Sequence, residues 1–337
     1  MFNEALKKVV EGIDLSAQEM AQVMDVIMHG NATNVQIAAL LIALRMKGES
    51  IGEVTGAAQT MRDNAVFIDG GTGTVVDTCG TGGDGANTFN ISTTAAFVVA
   101  GAGVSVAKHG NRSSSSMCGS ADVLAALGFN LDVDPVLMEQ SIQNNGIGFL
   151  FAPKMHPAMK YVMPVRRELK LRTIFNILGP LTNPASASGQ VIGVFSPALT
   201  ELFAEVLKNL GSRRAFIVHG HDGLDEITCT ETTRVTELRD GIIKTYELYP
   251  EMLVGQTFDS EDLAGGDANT NAAITLEILK GERHDGARAV VILNAAAAIV
   301  AGEKVDTLEE AIKLAEKSID SGAALDKMNK LIEASNS

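Results

Sequence analysis

The sequence is poor in the features that mark several large protein classes. It has three cysteines in 337 residues, Cys79, Cys118 and Cys229, far apart and without Cys-x-x-Cys spacing. That excludes a disulfide framework and a zinc knuckle, and it fits a reducing cytoplasm. Basic residues are short as well: 27 Lys and Arg stand against 41 Asp and Glu, for a formal charge of −14 and a pI of about 4.9. Broad binding to nucleic acid or to an anionic membrane needs a surplus of cations. Neither is an expected partner, and an anionic ligand must rely on a local basic cluster. Long apolar runs are missing too. The longest, Ala95 to Ala107, falls short of the ~20 residues needed to span a bilayer and is interrupted by Gly101 and Gly103. The N-terminal residues lack the apolar core of a secretory leader. What is present, 46% hydrophobic and 20% charged residues, describes an ordinary globular protein. At ~100–200 residues per domain, the length suggests two domains or one large domain carrying a smaller one.

The first sixty or so residues read as helices only. Ser16 with Glu19, Thr33 with Gln36, and Ser50 with Glu53 have capping-box spacing, and Gly12, Gly30 and Gly48 follow as stops. From Gly70 the texture changes to strand, loop and helix units. A β-rich run (74–78) precedes a helix (92–101), VSVAK (104–108) precedes a helix (119–127), and QVIGVF (190–195) precedes a helix (197–210) and then AFIVHG. This alternation implies a mostly parallel sheet covered on both faces. The segment 153–171 is expected to be a helix crossing back to the small helical domain, with flexible connections near 65–75 and 146–155. Residues 232–248 read as a hairpin turning at Asp240-Gly241. Helices over 271–280, 285–302 and 307–332 close the chain.

The strongest chemical signal is CGTGGDGANTFNIST, Cys79 to Thr93, between a strand and a helix N-terminus. Four glycines, Gly80, Gly82, Gly83 and Gly85, let the backbone approach an anion, and free N–H groups at a helix start favour phosphate. The spacing matches neither GxGxxG nor GxxxxGK[ST], which demotes dinucleotide and Walker-type binding. Asp84 inside such a cradle would repel phosphate unless it took a sugar hydroxyl or acted through Mg²⁺, so a ribose and a metal are expected. KHGNRSSSS, Lys108 to Ser116, follows the next strand on the same sheet edge and offers cations and hydroxyls to a second phosphate. HGHDGLDEIT (219–228) invites a zinc reading at His219 and His221. The adjacent Asp225 and Glu226 suit hard Mg²⁺ better. Arg166, Arg167 and Arg172 lie at helical spacing before a Gly-Pro turn and suit a planar carboxylate.

Together the motifs DTCGTGGDG, NIST, KHGNRSxSS, GSADVL, RTIFNxLGPLTNP and DGLDE, in that order over nearly the whole chain, resemble the anthranilate phosphoribosyltransferases. The resemblance implies an α/β fold of the nucleoside phosphorylase and class II phosphoribosyltransferase kind, with a small α-helical domain and a large α/β domain with a mostly parallel central sheet. The small domain would take residues 1–68 joined by about 155–180, the large one 69–154 and 181–337, and the active site would lie in the hinge cleft. It implies Mg²⁺-dependent transfer of phosphoribosyl from phosphoribosyl pyrophosphate to anthranilate, in a cytoplasmic homodimer formed through the small domain. Phosphoribosyl pyrophosphate would be bound by Gly80, Gly83, Asp84, Thr88, Asn90, Ile91, Ser92, Thr93, Lys108, His109, Gly110, Asn111, Arg112, Ser113, Ser114, Ser115, Ser116 and Ser120. Anthranilate would meet Gly80, Asn111 and Arg166, and the metal Ser92, Asp225 and Glu226. No single catalytic residue is implied; His109 and Arg166 are the candidates. Departures from the family pattern include Met117, Cys118, Ala125 and Lys170, the last in place of a usual glycine. Two rival readings are a pyrimidine nucleoside phosphorylase-like enzyme and a non-catalytic, nucleic-acid-binding relative of the same fold.

Overall fold

The computed structural model describes residues 1–113 and 117–337. Four helices open the chain: α1 (Phe2–Val10), α2 (Ala17–Met28), α3 (Asn34–Lys47) and α4 (Ile51–Asp63). The three expected capping boxes start α2, α3 and α4, with the Ser16, Thr33 and Ser50 side chains accepting from the third helical N–H and Glu19, Gln36 and Glu53 reaching back. Met20, Met24, Ile27, Leu40 and Leu44 interlock at their centre, buried.

Next come β1 (Val75–Thr78), α5 (Ile91–Gly101), β2 (Ser105–Gly110), α6 (Ser120–Ala126), α7 (Pro135–Asn145) and β3 (Ile147–Phe151). The chain then returns to the helical bundle through α8 (Ala152–Met155), a 3₁₀ turn (Pro157–Tyr161), α9 (Met163–Leu169) and α10 (Phe175–Leu178). The second half comprises β4 (Gly189–Gly193), α11 (Leu199–Asn209), β5 (Arg214–Gly220), β6 (Thr233–Arg239), β7 (Ile242–Leu248) and α12 (Glu251–Val254). It ends with α13 (Ala268–Leu279), α14 (Gly286–Ala301), α15 (Leu308–Asp320) and α16 (Ala323–Ser335).

The seven strands form one sheet in the order β3-β2-β1-β4-β5-β6-β7, parallel from β3 to β5 and antiparallel through the β6–β7 hairpin. Alternate residues serve opposite layers. Val191, Phe216 and Val218 join the core built on α5 and α14, whereas Ile192, Ala215 and Ile217 join the core shared by α11 and the N-terminal bundle. The chain reverses its direction of travel across the sheet between β1 and β4. In open α/β sheets, ligands bind at such a switch point, beyond the carboxyl ends of the strands.

Three expectations need correction. Residues 146–155 are not a flexible connection. Ile147–Phe151 pairs with β2 along its whole length, and Gly148 is there because a Cβ would lie 2.6 Å from the Ile142 side chain of α7. The segment 153–171 is not one helix but three short pieces, broken where Pro157 and Pro164 require new starts. The closing helix 307–332 is two helices. Gly322 adopts φ +75° so that α16 folds back on α5, where Gly101 leaves room for Ser318 and Ala324. No helix among the described residues is long and apolar enough to cross a membrane.

Candidate active site

The site grows from four strand ends. After β1 the glycine loop turns across the sheet edge, with Gly82, Gly83 and Gly85 all at positive φ, a backbone that glycine adopts without strain. The Thr81 N–H donates to the Gly193 carbonyl at the end of β4 (2.8 Å), and Thr81 Oγ1 accepts the Phe195 N–H (3.0 Å). From the loop after β5, Asp225 accepts the Gly82 N–H (2.7 Å) and Glu226 accepts the Ser92 N–H (3.2 Å) at the start of α5. Gly80 and Gly193 permit this closeness. A Cβ on Gly80 would lie 2.9 Å from Asp225 Oδ2, and one on Gly193 only 1.4 Å from the Asp225 carbonyl oxygen.

Asp225 and Glu226 therefore close on the glycine loop and the start of α5, with Asp84 near enough to raise both carboxyls. Burial, then the neighbouring Glu226 and Asp84, holds the Asp225 carboxyl well above its ordinary range. Burial pushes Glu226 up to about 7, although Lys108 and the Ser92 N–H pull it down. Carboxylates so raised lack compensating positive charge. A hard divalent cation held by oxygen donors would supply it, and Asp225, Glu226 and the Ser92 hydroxyl are the donor set present.

Lys108, buried on β2, donates its Nζ to the Thr78 carbonyl (2.5 Å). His109 beside it is buried and pushed down to about 3 by desolvation, hence neutral. Its ring meets His156 edge to face, 5.1 Å between centroids, and His156 is likewise lowered by burial to about 4. Arg112 pairs with Asp122 (2.8 Å), whose second oxygen accepts the Ser113 N–H. Lys108, His109 and Arg112 thus do not present one cationic face. Asn111 and Ser120 bond one another around Gly110, where a Cβ would strike Ser120 Oγ at 2.2 Å. Ser114, Ser115 and Ser116 lie outside the described residues.

Thr88 bridges to Ala264, and Asn90 bonds the Cys118 carbonyl and Asn271, which ties the end of the glycine loop to α13. Ile91 and Thr93 turn their side chains into the core, which leaves Ile91 only backbone to offer a ligand. Arg166, on α9, is half-buried with its guanidinium 5.8 Å from the Phe175 ring; its contacts do not join it to the carboxylate cluster.

Zinc finds no support at His219 and His221. His219 Nδ1 pairs with the Val194 carbonyl (2.7 Å) and His221 Nε2 with Glu247 (2.8 Å). Asp77, Cys79 and His109 do bring ligand atoms within 4.8 Å of one another. Asp77, however, already accepts from Asn183 Nδ2 (2.7 Å) and the His109 N–H (3.1 Å), and it aligns β1 with β2. A cleft of about 490 Å³ lined by Arg62, Ser186 and Ser212 lies beside the starts of β4 and β5, away from this chemistry. Sequence reasoning passed over Asp77 and His156. An acid inside the apolar strand VVDT was a usable signal for the first; the second had none.

Known proteins match this arrangement. Residues 3–65 match the glycosyl transferase family helical bundle domain and residues 72–325 its a/b domain. The anthranilate phosphoribosyltransferase of Desulfosudis oleivorans is 55% identical over 333 residues, covering 99% of this chain and 98% of its own. Among solved structures, anthranilate phosphoribosyltransferase from Thermus thermophilus superposes with a TM-score of 0.94 at 41% identity, covering 99% of each chain. The Saccharomyces cerevisiae enzyme in complex with PRPP and Mg gives 0.89 at 29% identity, covering 99% of this chain and 98% of its own. With its helical bundle, its parallel sheet and the carboxylates gathered at the switch point, the chain belongs to the anthranilate phosphoribosyltransferases of the glycosyl transferase family.

Proposed function

We propose that the protein transfers the phosphoribosyl group of 5-phosphoribosyl 1-pyrophosphate to the amine of anthranilate, giving N-(5-phosphoribosyl)anthranilate and pyrophosphate, the second committed step of tryptophan biosynthesis. The observation that carries this reading is the closing of Asp225 and Glu226, with Asp84 near, on the glycine loop and the start of α5 at the switch point. A relative whose structure holds PRPP and Mg supports it.

In this reaction the ribose C1–N bond forms and the C1–O bond to pyrophosphate breaks, with the amine proton lost to solvent. The amine is already a neutral nucleophile, so the main task is to stabilise departing negative charge. Mg²⁺ held by Asp225, Glu226 and Ser92 would supply positive charge to the pyrophosphate. Backbone N–H groups of the glycine loop and of α5 would bind phosphate oxygens, together with Lys108, Asn111 and Ser120. Arg166 would steer the anthranilate carboxylate, and the neutral His109–His156 pair suits an aromatic ring better than a phosphate.

We assign residues 1–68 and about 155–180 to a small domain, with 69–154 and 181–337 as the large one, so that closure would align the amine and exclude water. A homodimer through the small domain is supported by Val35 and Met46 on α3, 78% and 82% exposed, and by Val10 at the end of α1 and Ile13 just beyond it. A cytoplasmic location fits the three free thiols. Mass spectrometry of a mixture of protein, Mg²⁺, anthranilate and phosphoribosyl pyrophosphate tests the reaction. The expected products are the ribosylated amine and pyrophosphate. Phosphorolysis of uridine or thymidine, with anthranilate untouched, would favour a nucleoside phosphorylase instead.

A further inference from the structure

Arg172, read from the sequence with Arg166 and Arg167 as suited to a planar carboxylate, reaches the glycine loop directly. It follows α9, and its exposed guanidinium lies over the Phe195 ring, 4.2 Å from the centroid. From there Nη2 donates to the Gly83 carbonyl. Gly83 can come this close because it lacks a side chain: a Cβ would sit 2.9 Å from that nitrogen, at a φ of +82°. Behind it, the Arg172 carbonyl accepts from Arg45 Nη1 on α3.

Phe195 holds the same loop a second time, through its N–H to Thr81 Oγ1 (3.0 Å). Both halves of the turn, Thr81 and Gly83, are thus tied to one residue beyond the end of β4, one by a hydrogen bond and one through Arg172. In a trans peptide the N–H points opposite to the carbonyl. Fixing the Gly83 carbonyl on Arg172 therefore turns the Asp84 N–H to the other side of the loop. Arginine can stack a planar cation on a ring while its in-plane N–H groups bond a carbonyl, which the ammonium of lysine cannot do.

We propose that Arg172 is a positioning residue for the phosphoribosyl pyrophosphate loop: with Phe195 as its platform and Arg45 as its anchor, it sets the conformation of residues 82–84 and links them to the helical bundle. The assignment of the loop to phosphoribosyl pyrophosphate rests on the function proposed above; the anchoring does not. The test uses the full chain with Arg172→Lys and Phe195→Leu, checked by circular dichroism. Arg172→Lys changes an exposed side chain and leaves the core intact.

Amide hydrogen exchange of residues 80–87 in the ligand-free protein should speed several-fold in both variants. The KM for phosphoribosyl pyrophosphate should rise about tenfold, from loss of one stack and one charge-assisted hydrogen bond, while the KM for anthranilate stays within about twofold. Unchanged exchange in both variants would overturn the proposal. A raised KM in Arg172→Lys with wild-type behaviour in Phe195→Leu would also overturn it, by showing that Arg172 meets the substrate itself. Faster exchange in a protein that turns over neither substrate would uphold the anchoring and refute the function alone.

Discussion

Gly193 is the position where one added carbon should cost the most function. It ends β4, and a Cβ there would lie 1.4 Å from the Asp225 carbonyl oxygen and 2.3 Å from the Asp225 carbonyl carbon, both backbone atoms. Side-chain carbons essentially never approach within 3.0 Å, so in Gly193→Ala the Asp225 backbone must retreat by about 1.5 Å. Asp225 then loses its bond to the Gly82 N–H, now 2.7 Å, and leaves its place near Glu226 and Asp84. Overpacking of this kind costs about 1–3 kcal/mol, which a folded protein survives. Misplacing a catalytic group by about 1 Å costs roughly 10²-fold in rate. The expected result is a folded Gly193→Ala protein with kcat/KM down about a hundredfold and a Mg²⁺ midpoint shifted upward, read by titrating metal against initial rate. A folded variant with wild-type rate and metal dependence would refute the placement of Asp225 in the site.

Other consequences follow from the same contacts. Glu226 is raised by burial from 4.5 to about 7, so it binds its proton more tightly folded than unfolded; the stability this gives is full below pH 4.5 and is lost as pH rises toward 7. Thermal melts of metal-free protein should therefore fall across that window, Mg²⁺ should restore them near neutrality, and Glu226→Gln should flatten both effects; a flat wild-type profile would contradict the assignment. Glu53 is fully buried and accepts the Leu15 N–H, the Ser50 N–H and Lys47 Nζ at 2.8–3.0 Å. Glu53→Ala strands the two backbone donors, while Lys47 keeps Asp14 and the Gly48 carbonyl, and should destabilise by about 2–4 kcal/mol in denaturant unfolding, with KM values unchanged at permissive temperature. Lys170 caps α9 at φ +49°, a left-handed backbone that favours glycine. Lys170→Gly should stabilise the protein by about 1 kcal/mol, a small rise in Tm.

Much of the fold was legible because its signals are local. The three capping boxes, the Asp240-Gly241 turn and the strand, loop and helix alternation each depend on a few neighbouring residues, and each is present. The failures share the opposite property. Gly148 reads as a loop in sequence, yet it sits in a strand because α7 packs on it, a contact between layers that no local pattern encodes. The break at Gly322 likewise reflects the fit of α16 onto α5, since the apolar spacing runs on across it.

The site shows the same division. Cys79 to Thr93 and Asp225-Glu226 were recognisable as chemistry, and the sheet brings them together. Neither the charge state of His109 nor the pairing of Arg112 with Asp122 could be read from KHGNR, since both depend on what the fold buries or places opposite. Arg172 stood out only as one arginine of a cluster, and its partners Phe195 and Gly83 are distant in sequence.

The most direct test of the account is the fluorescence of anthranilate mixed with pure protein, phosphoribosyl pyrophosphate and Mg²⁺. It should fall with time, stop when EDTA is added and resume when Mg²⁺ is restored, and Glu226→Gln should suppress the fall. Steady fluorescence from folded wild-type protein, or a loss indifferent to EDTA, would contradict the claim that these carboxylates hold the metal for phosphoribosyl transfer.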